Sequence, residues 1–249
     1  MSKLIKWSLV AALAGFLFGF DTVVISGADQ KLQELWNSSD IFHGSVVMAM
    51  ALWGTVFGAI FGGIPTRKYG RRNTLIWIGI FYSISAVGSA LANDPITFAV
   101  FRFIGGVGVG VSGIAAPAYI SEIAPAKNRG KLVGFYQFNL VTGILVAFLS
   151  NYLLSGIGEN DWRYMMGVEA IPAIIYTLLV FSIPKSPRWL YLNNQEDQAE
   201  KIIRDAYSKD DADELISEIL KDKQSSVESE SIFQKKYSFI LTLAFLVAA

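Results

Sequence analysis

Three ionisable side chains stand well inside long apolar runs of this sequence: Asp21, Arg102 and Glu169. A charge at the centre of a membrane-spanning helix costs about 2.5–3.5 kcal/mol on insertion scales, so each needs a partner or a task. Each also lies eight residues from an acid in a neighbouring loop: Asp21 precedes Asp29, Arg102 follows Asp94, and Glu169 follows Asp161. Eight residues of helix rise ~12 Å, so the three charges share one layer and can pair if their helices are neighbours. Two carboxylates facing one guanidinium leave a surplus negative charge. Like charges in a poorly polarisable site favour a proton on one of them. The chemistry on offer is reversible proton binding inside a membrane. The competing role is a permanent ion-pair network that only fixes packing, for which the second acid is superfluous.

The elements that must hold this layer are legible. Positions 7–28, 44–64, 73–93, 96–120, 132–158 and 164–184 are apolar stretches. Each exceeds the roughly 20 residues that a helix needs to cross a bilayer core. They are called helices 1 to 6 below. Residues 237–249 begin a seventh stretch of 13 residues, ~20 Å of helix against a ~30 Å core. The expectation is an all-α membrane protein: a six-helix domain over 1–184, linker helices over 185–236, and an incomplete seventh span. The composition, 53% hydrophobic and 17% charged, is too apolar for a soluble domain of this length, and zero net charge gives no electrostatic case for nucleic acid. The absence of cysteine excludes disulfides and cysteine-bound metals. Lys3 and Lys6 before an apolar run imitate a signal peptide, but the run is too long and further spans follow.

Basic residues gather on one side of the spans: Lys3 and Lys6, then Arg67, Lys68, Arg71 and Arg72, then Lys127, Arg129 and Lys131, then Lys185 and Arg188. The opposite loops hold only Lys31 and Arg163. The positive-inside rule therefore puts the N-terminus in the cytoplasm. Beyond helix 6, Ala199, Ile202, Ile203 and Ala206 fall at helical spacing, as do Ala212, Leu215, Ile216, Ile219 and Leu220. Two amphipathic cytoplasmic helices follow, with Asn194 or Asp210 as candidate caps. Residues 224–231 (QSSVESES) read as a flexible linker.

Several motifs mislead. Residues 108–113 (GVGVSG) match a dinucleotide fingerprint but lie inside a membrane run with no preceding strand. Gly106 and Gly110 instead offer small-xxx-small spacing for close helix approach. Pro117 should bend or end helix 4. His43 stands alone, with no metal-ligand companions, and reads as a satisfied interfacial histidine. Asn37-Ser38-Ser39 is a glycosylation sequon that matters only in a secretory pathway. No nucleophile–base pair or metalloprotease pattern appears, so neither an enzyme nor a cofactor site is expected.

The run Gly63-Ile64-Pro65-Thr66-Arg67-Lys68-Tyr69-Gly70-Arg71-Arg72 resembles the loop 2–3 signature of the major facilitator superfamily. Residues 15–28 (GFLFGFDTVVISGA), 101–110 (FRFIGGVGVG), 115–131 (APAYISEIAPAKNRGKL), Trp162-Arg163-Tyr164-Met165 and 184–190 (PKSPRWL) all resemble its sugar porter family. The resemblance covers nearly the whole chain and is specific as a set. It implies a twelve-helix transporter of two six-helix halves, of which this chain is similar to the first half. It implies a monosaccharide and a proton as substrates and a partner half to complete the carrier. It also implies residence in the inner (plasma) membrane. By resemblance, Asp21 is the proton-coupling acid with Arg102 and Glu169 as partners, and Gln137 and Phe18 contact the sugar. The bland alternatives are an interhelical hydrogen bond for Gln137 and packing for Phe18. Gly63, Gly70, Arg71, Arg72 and Arg188 fall in gating signatures of the basic side, and Glu122 and Arg129 match a latch there.

The chain departs from the family in four ways. Arg67 stands where the loop signature has Asp, and Lys185 where its post-helix-6 motif has Glu. Ile144 stands where some sugar symporters carry a second glutamine. The helix 7 sugar signature would begin about where residue 249 ends, so residues 1–249 alone are expected not to carry sugar. Two rivals remain: an uncoupled facilitator, against which Asp21 argues, and a non-transporting fragment, sensor or assembly partner.

Overall fold

The computed structural model describes residues 3–225. The incomplete seventh span expected at 237–249 and most of the linker at 224–231 lie outside the described residues. Among the described residues, six helices are long and apolar enough to cross a membrane: Lys3–Gly27, Asp40–Phe61, Arg71–Leu91, Pro95–Ile123, Arg129–Leu154 and Asp161–Phe181. These are helices 1 to 6, each bound lying within four residues of its expectation.

Local chemistry sets the boundaries. Helix 4 starts at Pro95 because Asp94 caps it, its Oδ1 accepting from the backbone N–H of Ile96 at 3.1 Å and of Thr97 at 2.9 Å. Bonding to Thr97 holds the Asp94 carboxyl below the usual carboxylate range. Pro117 does not end helix 4, which runs on to Ile123. The proline removes one backbone donor, and its ring meets the carbonyl one turn back at Gly113, where no side chain adds to the crowding.

Helices 1 and 4 are central, with 61% of their apolar windows buried, whereas helices 2 and 5 bury only 17% and 22% and form the flanks. Helix 1 packs along helix 5, helix 2 along helix 4, and helix 3 fits against helices 4 and 6. Leu17, Leu75, Ile78, Tyr119 and Ile120 form one core cluster. Phe20, Val24, Phe98 and Trp162 form a second toward the opposite end, where Trp36 meets Phe98 and Trp162 edge-on. Leu52, Trp53 and Ile60 on helix 2, and Phe138, Leu145 and Tyr152 on helix 5, are exposed, as suits surfaces that meet lipid or another helical body.

Glycine makes the two flank crossings possible. A Cβ on Gly106 would run into the Ala51 carbonyl and one on Gly110 into the Thr55 carbonyl, so helices 2 and 4 meet backbone to backbone, as the small-xxx-small spacing predicts. The helix 1–5 crossing works the same way, with Gly143 against the Phe16 carbonyl.

Beyond helix 6 come two short helices, Pro187–Leu192 and Glu196–Ala206. The Ser186 hydroxyl caps the first, accepting from Trp189 N–H at 3.3 Å. Asn194 does not cap the second: the residue before it is Gln195, and Asn194 adopts φ 57° as the chain leaves the preceding helix. The second is tied to the six-helix body by Lys3–Asp205 at 2.6 Å and by the Tyr207 hydroxyl donating to the Ile123 carbonyl. Residues 208–225 form a separate unit, the helix Lys209–Ser225. Its cap is Ser208, which accepts from Asp211 N–H at 3.4 Å, and not Asp210, which lies in the first turn.

Replacing Gly143 by Leu inserts a side chain where two backbones touch, and overpacking of this kind costs about 1–3 kcal/mol or more. The expected outcome is a lower Tm for purified Gly143→Leu in detergent, while Gly130→Leu, at a position with open space, leaves Tm near wild type.

Candidate functional site

The charge layer is assembled by the neighbourhood of helices 1, 3, 4 and 6. Arg102 Nη1 donates to Asp21 Oδ1 at 2.6 Å, and its Nη2 donates to the Asp21 backbone carbonyl at 2.8 Å. Both side chains are only 1% exposed. One guanidinium thus fixes both the carboxylate and the helix that carries it, a geometry an ammonium could not match. Glu169 is fully buried with its carboxyl facing that of Asp21, and among the described residues no donor bonds either of its oxygens. It sits where helix 6 is interrupted, between Asp161–Gly167 and Ala170–Phe181. The equal eight-residue offsets do bring the three charges together.

Helix 3 supplies what the sequence reading missed. Tyr82, Ser85 and Ser89 are all fully buried on one face of it. A Cβ at Gly105 would meet Ser85 Oγ and lie 3.2 Å from Asp21 Oδ1, which places Ser85 beside the charge layer. Ser85 and Ser89 have no hydrogen-bond partner for their hydroxyls among the described residues. The Tyr82 hydroxyl faces Ser112 and Asp21 without closing a bond of good geometry. An unpaired buried hydroxyl costs about 1–3 kcal/mol. The spacing of three and four residues was the available signal, but alone it does not separate this stripe from ordinary packing.

A cleft of about 330 Å³ between helices 1, 2 and 4 reaches the ion pair, lined among others by Asp21, Thr22, Ser26, Thr55 and Arg102. At its mouth helix 2, after a first turn at Asp40–Phe42, passes through a π-helical stretch, His43–Met48, with Ala49 N–H bonding five residues back to Gly44. His43 is satisfied as expected, with Nε2 2.7 Å from Asp29 Oδ1 and Nδ1 3.3 Å from Ser38 Oγ. The candidate sugar contacts are not buried. Gln137 is exposed on helix 5, and Phe18 is half-buried on helix 1 with its ring edge toward Gly113.

The basic end holds a second cluster. Glu122 accepts from Arg71 at 2.7 Å and from the Ser186 hydroxyl at 2.5 Å, so the described latch joins Glu122 to the loop 2–3 signature and to the segment after helix 6. Arg129 opens helix 5 beside it in sequence. Arg72 donates to the Phe181 carbonyl at 2.8 Å. Gly70 has φ 86°, and a Cβ there would press on the Trp189 indole, whose Nε1 donates to the Arg67 carbonyl at 2.9 Å. Gly63 has open space where a Cβ would stand, so no such contact requires it. Arg188 lies in the short helix Pro187–Leu192. Lys185 stands over the Trp189 ring at 5.4 Å.

Arg102→Met would leave two buried carboxyls without their cation, and breaking a buried pair costs about 3–5 kcal/mol. The expected outcome is a large fall in the Tm of the purified chain. Asp21→Asn in the same chain should restore part of it.

Comparison with known proteins follows this geometry. Residues 7–248 match the family model described as "Sugar (and other) transporter". The chain is 36% identical to the D-xylose-proton symporter of Escherichia coli K12 over 249 residues, covering 88% of this chain and 51% of the symporter. It is 39% identical over 205 residues to the glucose transport protein of Synechocystis, covering 78% and 44%. Among solved structures, the proton:xylose symporter XylE bound to 6-bromo-6-deoxy-D-glucose superposes with a TM-score of 0.84 at 35% identity, over 90% of this chain and 54% of XylE. An inward-open E. coli XylE gives 0.80 at 34%, over 93% and 58%. The chain spans about half the length of the curated relatives it matches.

Proposed function

The chain belongs to the sugar transporter family of the major facilitator superfamily, as its six-helix N-terminal half, and we propose that it forms that half of a proton-coupled monosaccharide carrier. It is a multi-pass membrane protein. The observation that carries the coupled reading is the buried Asp21–Arg102 pair with a second acid, Glu169, beside it and without a good partner. A guanidinium that neutralises one carboxylate leaves the other to hold a proton. Proton loading then competes with the arginine for the Asp21 carboxylate, and the helix 1–4 contact through that carboxylate gives the competition a mechanical output. The names of relatives, a D-xylose-proton symporter among them, support a sugar and a proton as the cargo.

The sugar in this reading meets the exposed surface of helices 1, 4 and 5. Gln137 can both donate to and accept from hydroxyls, and Phe18 offers an apolar face. The other wall comes from a second six-helix half, and alternating access rocks one half against the other around the shared site. The basic end faces the cytoplasm by the positive-inside rule. Residues 185–236 link the halves there, and Glu122, Arg71 and Ser186 tie the bundle to that linker. Gly63, Gly70, Arg72, Arg129 and Arg188 belong to the same gating face.

In a complete carrier containing this half, Asp21→Asn is expected to abolish proton-driven accumulation while sugar exchange continues. Uptake in proteoliposomes with and without a pH gradient reads both, and accumulation that survives in Asp21→Asn would remove Asp21 from the coupling site. Gln137→Ala is expected to raise the apparent KM by roughly 2–10-fold, the loss of a hydrogen bond worth about 0.5–1.5 kcal/mol. A control exposed on helix 6, outside the proposed sugar wall, Leu178→Ala, should leave KM unchanged.

A further inference from the structure

The proposed function uses three charges and leaves a column of buried hydroxyls unused. Ser89, Ser85 and Tyr82 descend one face of helix 3, and all three are fully buried. Side chains on a helix lean toward its N-terminus, which for helix 3 is the basic end. The Tyr82 hydroxyl therefore reaches from the level of the charges toward Ser112, and it faces both Ser112 and Asp21. Ser112 Oγ lies 3.4 Å from the Tyr136 hydroxyl. The column thus runs Ser89, Ser85, the Asp21–Glu169 carboxyls, Tyr82, Ser112, Tyr136.

Ser89, Ser85 and Tyr82 belong to helix 3, and the column crosses from there through Ser112 on helix 4 to Tyr136 on helix 5. Along it, the Ser85 and Ser89 hydroxyls have no hydrogen-bond partner among the described residues, while the Tyr82 hydroxyl faces Ser112 and the Glu169 carboxyl faces Asp21. Buried polar atoms are almost always bonded to protein or to ordered water. Two such serines one above the other beside buried carboxyls call for water between them and the carboxyls.

We infer that the hydroxyls of Ser89, Ser85, Tyr82, Ser112 and Tyr136 line a narrow hydrated path that conducts protons to and from the Asp21–Glu169 pair. The inference rests on the coupled reading above. Each hydroxyl or water accepts one proton and releases another, so no group on the path changes its net charge and the carboxyl pair alone stores the proton.

Two experiments test it. In hydroxyl-radical footprinting of the purified 249-residue chain in nanodiscs, Tyr82 is expected to oxidise faster than Tyr119, an equally buried tyrosine whose hydroxyl is bonded to the Pro184 carbonyl. The Ser85→Val/Ser89→Val chain should lose that excess. Equal labelling of Tyr82 and Tyr119 in the wild-type chain overturns the path. In a complete carrier containing this half, Ser85→Ala/Ser89→Ala is expected to lower proton-driven accumulation at least about tenfold relative to sugar exchange in the same vesicles. Ser85→Thr, which keeps the hydroxyl, should retain accumulation and so separate proton conduction from packing. Wild-type uptake without proton movement overturns the coupled reading and the path's role together. Coupled wild-type uptake with an unaffected double variant overturns the path alone.

Discussion

The fold is organised around a desolvation problem. A guanidinium at 1% exposure inside a membrane bundle is tolerable only beside a counter-charge that takes up its donors. Arg102 spends two of them on Asp21, one on the carboxylate and one on the main chain. Those two bonds fix the depth of helix 1 relative to helix 4 and hold the two central helices together. Helix 6 must then bring Glu169 to the same level, and helix 3 must close the space behind. Glycine at position 105 lets Ser85 approach the pair, because any side chain there would collide with the serine hydroxyl. The flanks carry no charge at this level and are held instead by backbone contact at glycine crossings, which costs no polar burial.

Much of this was readable from residue types alone. Span number and position follow from run length, because a bilayer admits little other than a helix of about 20 residues. The coplanar charges follow from counting rise, and the close crossing of helices 2 and 4 from glycine spacing. What was not readable depends on which helix lies next to which. Ser85 and Ser89 look like minor polar interruptions of an apolar run until helix 3 is seen against helix 1. Glu122 is found with Arg71, 51 residues earlier in the chain, a contact that no local spacing announces. Caps fail for a related reason. Asp210 and Ser208 are both good cap residues, and only the register of the helix start decides between them. Pro117 shows the opposite error, a local rule applied too strongly to a helix that its neighbours sustain.

The basic end shows how a signature can survive a change in its charges. Arg67 and Lys185 stand where the resemblance leads one to expect acids, yet the parts still engage. Arg67 does so through its main-chain carbonyl, and Lys185 through the face of the Trp189 ring. Neither contact depends on a carboxylate. Trp189 joins the two by resting on Gly70, whose positive φ and missing side chain make the seat. Glu122 is the acid held at the centre of this cluster, and its two oxygens bind different segments.

The Asp21–Arg102 pair also sets a schedule for synthesis. The two residues are 81 positions apart, and a ribosome adds about 5–20 residues each second. Asp21 is therefore made roughly 4–16 s before the arginine that neutralises it, and it arrives at the insertion machinery with no cation to meet. Glu169 comes later still. For that interval helix 1 must keep its acid protonated, near water, or sheltered by the inserting machinery. Helix 1 can settle to its final depth only once helix 4 has entered. Its amino end waits longer, since Lys3 finds Asp205 only after all six spans have left the ribosome.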